Sequence, residues 1–186
     1  MININNISFS YGEKHVIKDF SLKIAERDRV CIFGESGCGK TTLLRILLGL
    51  EIPQSGGVDG IETLKPSVVF QENRLLPFKT VLQNITVIGA DENTTRFHLS
   101  ALGLSDVCNE YPAKLSGGMQ RRAAIARALS AEYDYLVLDE PFSGLDKNNI
   151  ISAARHISQS LGDRPLIMVS HSASEAELLG ARIINI

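Results

Sequence analysis

The stretch GESGCGKT, residues 34–41, constrains the fold of this chain more than any other segment. It fits the pattern G-x-x-x-x-G-K-[ST], follows the apolar run RVCIF and precedes the helical run KTTLLRILLGL. Glycines in such a loop let backbone N–H groups close around phosphate oxygens, and the following helix N-terminus adds partial positive charge. The sequence therefore predicts a phosphate-binding loop between a strand and a helix.

The side chains of this loop supply further groups for phosphate binding. Lys40 offers a full positive charge to the β- and γ-phosphates, and the hydroxyl of Thr41 is a ligand for Mg²⁺. The residues that we expect to surround the phosphates are Gly34, Glu35, Ser36, Gly37, Cys38, Gly39, Lys40, Thr41 and Thr42.

Short apolar runs alternate with helical segments along most of the chain. The runs RVCIF, SVVFQ, YLVLDE, PLIMVS and RIINI are typical of parallel strands that are buried on both faces. Helical segments separate several of these runs, which indicates an α/β core. The predicted fold class is an α/β P-loop NTPase core with a mixed or parallel sheet.

Two parts of the chain depart from this alternation. MININNISFSY and VIKDFSLKIA alternate apolar and polar residues, which predicts an antiparallel β subdomain at the N-terminus, with one solvated face and a candidate bulge. Residues 72–130 lack strand patterns and are predicted to be a helical insertion. We therefore expect residues 1–186 to form a single domain with a helical subdomain at approximately 72–130.

Composition and charge narrow the classes of function. Hydrophobic residues make up 44% of the chain and charged residues 22%, which is ordinary for a soluble globular protein. The net charge of −2 is not the excess of positive charge that nucleic-acid binding requires, so no nucleic-acid partner is expected. Cys31, Cys38 and Cys108 are too widely spaced for a metal site, and they predict free thiols in a reducing compartment.

A second candidate site for chemistry is YLVLDE, a buried strand that ends in two carboxylates. Two acids in such a place are costly unless they contact cations or act in catalysis. Asp139 is placed to hold Mg²⁺ directly or through water, and Glu140 is placed to activate a water molecule. The alternative is that these residues cap the next helix, with PFSGLD supplying a turn.

Three single side chains are further candidates, each with a plain structural alternative. Gln71 ends an apolar run and can reach Mg²⁺ or water through its carbonyl oxygen, or it can cap a loop. Tyr11 offers a flat face to a purine, or it lies on the surface at a strand end. His171 follows an apolar strand and can bond a γ-phosphate, although a lone histidine is more often structural.

The stretch KLSGGMQRRAAIARAL resembles a second anion site, because Ser116, Gly117 and Gly118 begin a helix. The helical insertion is expected to hold this site away from the phosphate loop of the same chain. Two different half-sites on one chain can be matched in a two-fold dimer. The arginines of this helix, which are Arg121, Arg122 and Arg127, are predicted to lie on a solvated or interface face.

Together these motifs resemble the ATP-binding subunits of ABC transporters, in the order of that family and over essentially the whole chain. GESGCGKT resembles the Walker A loop, Gln71 the Q-loop glutamine and LSGGMQRR the signature. YLVLDEP resembles Walker B, SGLD the D-loop that ends at Asp146, and His171 the switch histidine. Family members often carry Thr and Asp around this histidine, where this chain has Ser170 and Ser172; Ser172 is expected to cap the next helix with Glu175 in a capping pattern.

The resemblance implies roles for these residues. The ligands would be ATP, with Tyr11 on the adenine, and Mg²⁺, held by Thr41, Gln71 and Asp139. Glu140, His171 and Lys40 would be the catalytic residues. Ser116, Gly117 and Gly118 would act on the ATP of a partner subunit, and Asp146 would lie near the dimer seam.

The resemblance also implies partners and a location. Two ATP molecules would be sandwiched head to tail in a homodimer, or with a paired ABC ATPase subunit. The dimer would drive membrane permease subunits, with a solute-binding protein as a further partner, and would be cytoplasmic and peripheral on the membrane. The segment VFQENRLLPFKTVLQNI is most similar to that of importers of the nitrate, sulfonate and taurine group. Leu76 and Phe78 of this segment lie where the permease docks in the family.

Two other classes remain open from the sequence. One is a soluble ABC-type ATPase that is not coupled to transport, although this chain has no coiled-coil insertion, zinc module or second ATPase unit. The other is a nucleotide-binding scaffold that does not hydrolyse ATP. The presence of Lys40, Asp139, Glu140 and His171 argues against the scaffold.

Overall fold

The computed structural model describes residues 1–186, which form eight strands in two sheets and six α-helices. The strands are β1 Ile2–Tyr11, β2 Lys14–Ile24, β3 Arg29–Phe33, β4 Ser55–Asp59, β5 Pro66–Val69, β6 Tyr135–Asp139, β7 Leu166–Ser170 and β8 Arg182–Asn185. The helices are α1 Lys40–Leu47, α2 Val81–Thr86, α3 Glu92–Ala101, α4 Gly117–Ser130, α5 Lys147–Leu161 and α6 Ala173–Leu178. The apolar runs predicted as strands correspond to β3, β5, β6, β7 and β8, and the run KTTLLRILLGL contains α1.

The larger sheet is parallel throughout, in the order β5-β6-β7-β3-β8, which confirms the predicted α/β class. Its central strands are apolar on both faces because helices and the smaller sheet cover them. One face contributes Cys31, Leu136, Leu138 and Met168 to one core cluster, and the other face contributes Val30, Ile32, Val137 and Ile167 to a second. The carboxyl ends of these parallel strands meet at one edge, where sites of this architecture form.

The smaller sheet is antiparallel, in the order β2-β1-β4, and contains the predicted hairpin. Register shifts between Ile4 and Ile7 and between Ile7 and Phe9 confirm an irregularity in β1. The third strand, β4, was not predicted, because its sequence SGGVD has two glycines and little apolar pattern. A Cβ atom at Gly56, where φ is +73°, would lie 2.2 Å from the carbonyl oxygen of Asn5, so only glycine allows this pairing.

Residues 72–130 contain α2, α3, α4 and two short 3₁₀ turns. Apolar residues of these helices, such as Ile85, Leu99 and Ile125, share one core cluster with Leu136 and Leu138 of the sheet. No helix of the chain combines the length and the apolar content needed to span a membrane.

A buried histidine pair joins α3 to α5. Nδ1 of His98 lies 2.8 Å from Nε2 of His156, and each residue is only 6% exposed. One ring nitrogen must donate and the other accept, and two neutral rings satisfy this arrangement without a buried charge. Burial, and secondly the nearby His156, lowers the pKa of His98 to about 4, and burial lowers the pKa of His156.

This pair predicts a loss of stability in mild acid. Both folded-state pKa values lie below the unfolded value near 6.5, so the unfolded chain binds protons first as the pH falls. The contribution of His98 is complete above about pH 6.5, and it declines toward pH 4 by about 1.4 kcal/mol per pH unit. Urea unfolding of the parent and of His98→Gln at several pH values measures the difference in slope.

The exposed His15 supplies the control for this experiment. His15→Gln should keep the parental dependence of unfolding free energy on pH, whereas His98→Gln should flatten it. Identical slopes for the parent and His98→Gln between pH 6.5 and 5 would contradict a neutral buried pair.

Candidate active site

The phosphate loop joins the end of β3 to the start of α1 at the carboxyl edge of the larger sheet. Gly39 is the N-cap of α1 with φ of 108°, and no side chain caps the helix. A Cβ atom at Gly39 would lie 2.8 Å from the carbonyl oxygen of Val16, so glycine is required both by conformation and by space. The first N–H groups of α1 therefore remain available to an anion.

Lys40 reaches back over this loop. Its Nζ donates to the carbonyl oxygens of Gly34 at 2.8 Å and Glu35 at 2.7 Å, and the residue is buried. The next residue, Thr41, donates its hydroxyl to Oδ2 of Asp139 at 3.3 Å. These contacts link the loop to the carboxylate at the end of β6.

Asp139 is 4% exposed, and its Oδ1 has no hydrogen-bond partner. Burial raises the pKa of this carboxyl, with the hydroxyl of Thr41 acting in the opposite direction. An orphaned buried carboxylate oxygen beside a threonine hydroxyl is an oxygen donor set that suits a hard divalent cation. The residues present therefore fit Mg²⁺.

Glu140 follows Asp139 in a backbone conformation that is uncommon for a residue with a side chain. Its φ is 45°, and its N–H donates to the carbonyl oxygen of Val169 at 3.0 Å. Oε1 of Glu140 lies 3.4 Å from Nδ1 of the exposed His171. The structure thus brings the two residues predicted to act on water and γ-phosphate to the same edge of the sheet.

A cavity of about 260 Å³ collects most of the predicted nucleotide-binding side chains. The half-exposed Tyr11 lies at its rim and packs edge-on against Phe9, with 4.9 Å between ring centroids. The remaining lining residues are Lys14, Val16, Ser36, Gly37, Gly39, Lys40, Thr41, Thr42, Gln71 and Glu140.

Ser116, Gly117 and Gly118 line a different cavity, of about 670 Å³. Ser116 is the N-cap of α4 and accepts from the N–H of Met119 at 3.3 Å. Asp146 lines the same cavity and caps α5, and the N–H and side-chain amide of Asn149 lower its pKa. Within one chain, the structure therefore does not bring the signature residues to Lys40, and only Gln71 lines both cavities.

The prediction that Arg121 lies on a solvated or interface face is wrong. The residue is 2% exposed and donates to backbone carbonyls that include those of Gln71 and Pro141. The sequence did not predict this burial, because a charged residue in a helix is usually solvated. The carbonyl oxygens that allow Arg121 to be buried come from loops that are distant in sequence. Arg122 and Arg127 are partly exposed, so their positions agree better with the predicted solvated or interface face.

The predicted capping pattern of Ser172 and Glu175 is also wrong. Ser172 precedes α6 but its hydroxyl bonds the hydroxyl of Ser174, and it caps no backbone N–H. Glu175 instead accepts from the hydroxyl of the buried Ser170 at 2.6 Å, and Ser170 accepts from the N–H of Ser172 at 2.9 Å. These bonds draw the carboxylate away from the helix end and close the turn that carries His171.

Three features define an ABC-type cassette. A phosphate loop follows β3, two carboxylates stand at the end of β6, and the helical insertion contains a helix that begins at the N-cap Ser116 with Gly117 and Gly118. The sequence profile of the ABC transporter family matches residues 17–143. The chain belongs to the ABC transporter family, as the resemblance predicted, and its class is that of the ATP-binding cassettes.

Curated relatives and solved structures indicate the same family. The chain is 40% identical over 194 residues to the aliphatic sulfonates import ATP-binding protein SsuB of Zymomonas mobilis, covering 98% of this chain and 80% of that protein. It is 38% identical to SsuB of Burkholderia ambifaria, where it covers 100% of this chain and spans 60% of that protein's length.

Two solved structures of the cassette MJ0796 superpose on the whole of this chain. In each, the superposed part is 94% of the MJ0796 chain. The first is described as a dimeric bacterial ABC transporter cassette and has a TM-score of 0.90 at 29% identity. The second is described as a dimeric post-hydrolysis state bound to ADP and Pi and has a TM-score of 0.88 at 28% identity.

Proposed function

We propose that this chain binds and hydrolyses ATP to power an ABC importer, through head-to-tail dimerisation driven by ATP. The observation that carries the proposal is the division of the motifs between two cavities. Lys40, Thr41 and Glu140 line one cavity, whereas Ser116 and Gly118 line the other. The cavity of the phosphate loop contains no signature residue, and the cavity of the signature residues contains neither Lys40 nor Glu140.

A two-fold dimer completes both sites at once. The phosphate loop of one subunit faces the signature of the other, and symmetry repeats the contact. The γ-phosphate then joins the two subunits, so its hydrolysis removes the link between them. Asp146 is proposed to lie near the seam, and the similar cassette MJ0796 is described as dimeric.

The proposed reaction begins with a water molecule that attacks the γ-phosphorus in line with the bond to ADP. The new P–O bond forms as the bond to the bridging oxygen breaks, and Glu140 takes the proton from the water. Lys40, His171 and the signature residue Ser116 of the second subunit stabilise the charge that develops on the phosphoryl oxygens. Tyr11 stacks on the adenine and fixes the position of the base.

Mg²⁺ would be held by Thr41, Asp139 and Gln71, and when bound it would neutralise charge on the β- and γ-phosphate oxygens. The unpaired Oδ1 of Asp139 supports this assignment. Gln71 is exposed and lines both cavities, so its side chain is free to approach the cation or the water.

The transported solute is proposed to be a small organic anion of the sulfonate class, since the relatives are described as aliphatic sulfonate importers. Permease subunits would bind the exposed apolar side chains of Leu76, Phe78, Val87 and Ile88, and a solute-binding protein would deliver the solute. We therefore propose that the chain is cytoplasmic and peripheral on the membrane. Residues 72–130 are proposed as the helical subdomain of a single domain.

Fractionation of host cells tests the transport role against a soluble ATPase. The tagged chain should sediment with membranes, and Phe78→Asp should lower its membrane-bound fraction by about tenfold, the effect of losing about 1.4 kcal/mol of docking energy. Phe78 is 91% exposed, so the change should not affect folding. Ile52→Asp is the matched control, because Ile52 is 84% exposed and lies between α1 and β4, outside residues 72–130. A parental chain that stays in the soluble fraction would favour the soluble ATPase.

A further inference from the structure

The guanidinium of Arg121 joins three segments of the chain. From the second turn of α4 it donates to the carbonyl oxygens of Phe70 and Gln71, which follow β5. It also donates to those of Asp139, Glu140 and Pro141, which end β6 and begin the next loop. One side chain on the signature helix thus contacts the backbone of the Q-loop and of the Walker B carboxylates.

The chemistry of arginine suits this place and that of lysine does not. A guanidinium presents five N–H donors in a fixed plane, whereas an ammonium has three donors around one atom. The backbone carbonyls, with Oδ1 of Asn73 at 3.4 Å, replace the water that burial removes. Burial lowers the pKa of Arg121, while Asp139 and Glu140 act in the opposite direction, and an arginine remains charged.

These bonds fix the direction of the carboxylate of Glu140. Its carbonyl is held by Arg121, and its N–H is held by Val169 at 3.0 Å. Because its φ is 45°, the peptide groups on both sides must be held to keep the side chain aimed at the cavity. At Gln71 the backbone is held in the same way, and the side chain stays free.

We propose that Arg121 is a positioning residue for hydrolysis, one that fixes Glu140 and Gln71 relative to each other and to Ser116 on the same helix. This inference rests on the proposed function. Any shift of Gln71 toward a bound nucleotide is then passed to α4, and so to the half-site that the chain presents to its partner. Arg121 donates no hydrogen bond to the loop of residues 34–42, and its bonds run to the segments after β5 and at the end of β6.

Arg127 provides a matched control on the same helix. Its guanidinium donates to the carbonyl oxygens of Asn73 at 3.0 Å and Arg74 at 2.8 Å. It therefore contacts the same loop as Arg121 but reaches neither Gln71 nor the end of β6. Arg127→Lys changes the same chemical group without disturbing the backbone of the two proposed catalytic positions.

The test compares Arg121→Lys with Arg127→Lys in the full chain, by MgATP hydrolysis and by nucleotide binding. Arg121→Lys should lower kcat about 10- to 100-fold, the cost of a small misplacement of reacting groups. Its Kd for ATP should stay within about twofold of the parental value, because the phosphate loop is untouched. Arg127→Lys should change kcat by less than about threefold.

Hydrogen–deuterium exchange supplies a readout that does not depend on hydrolysis. In Arg121→Lys, exchange should rise in peptides that cover residues 70–74 and 139–143 and stay parental in β1 and β2. If the lysine variant does not fold, Arg121→Met fills similar space without a buried charge and is measured in the same two ways.

Parental kcat in Arg121→Lys, or a rise in exchange spread evenly over the chain, would overturn the positioning role. A parental chain that binds ATP without hydrolysing it would instead contradict the proposed function. In that case the exchange pattern still decides whether Arg121 holds the two loops in place, so the two failures are distinguishable.

Discussion

Glu140→Gln is expected to lower the rate of ATP hydrolysis by about 10²- to 10⁴-fold, the usual contribution of a general base. Glutamine keeps the size and the backbone geometry of Glu140 but cannot accept the proton of the attacking water. ATP binding should persist, because Lys40 and the phosphate loop are unchanged. The variant should therefore accumulate as a dimer that holds ATP, whereas the parent should return to the monomer after hydrolysis.

Phosphate release and light scattering after size exclusion measure these two effects at saturating MgATP. Glu177→Gln is the matched control, since it makes the same chemical change at an exposed position on α6. It should hydrolyse ATP at the parental rate. A Glu140→Gln chain that remains monomeric would count against the sandwich, and one that keeps parental hydrolysis would count against Glu140 as the base.

Ser116→Arg is expected to abolish hydrolysis, with a loss of at least about 10³-fold, while the monomer still binds ATP. Removing one donor to developing charge costs about 10²- to 10³-fold, and the arginine also blocks the approach of the opposing γ-phosphate. Ser116 lines the signature cavity and not the cavity of Lys40. Binding of ATP to a single chain should thus be unaffected.

Ser116→Ala separates the steric effect from the loss of the helix cap. The Ser116 hydroxyl accepts from the N–H of Met119, so alanine should cost about 1 kcal/mol of stability and only part of the activity. Equilibrium binding of a fluorescent ATP analogue at low protein concentration reports on the monomer. Loss of that binding in Ser116→Arg would place Ser116 in the chain's own site and would refute the composite site.

The local motifs were predictable because each depends on neighbours in sequence. A glycine loop that precedes a helix, as at Gly39 and Lys40, has its chemistry within a few residues. Apolar runs predicted the strands, since burial on both faces of a parallel sheet leaves few polar positions. β4 was missed because its pairing depends on a glycine that clears the backbone of Asn5, a fact about a distant strand.

Side chains that act across the fold were not predictable in the same way. Nothing in the sequence around Arg121 indicates that it is buried, because its burial depends on carbonyl oxygens in the segments that follow β5 and β6. Glu175 fits a capping pattern, yet the hydroxyl of Ser170 at 2.6 Å takes its carboxylate instead. The histidine pair of α3 and α5 gave no signal, because its members are 58 residues apart.

The sequence by itself determined the class of this protein, because the chemistry of phosphate binding requires particular residues at fixed short spacings in GESGCGKT, LSGGM and YLVLDE. Only the tertiary structure decided how these motifs are distributed in space. It places Lys40 and Glu140 at one cavity and Ser116 at another, and it joins them through the buried guanidinium of Arg121. The physical reason is that a buried charge needs acceptors from several segments at once, and only the folded chain brings those segments together.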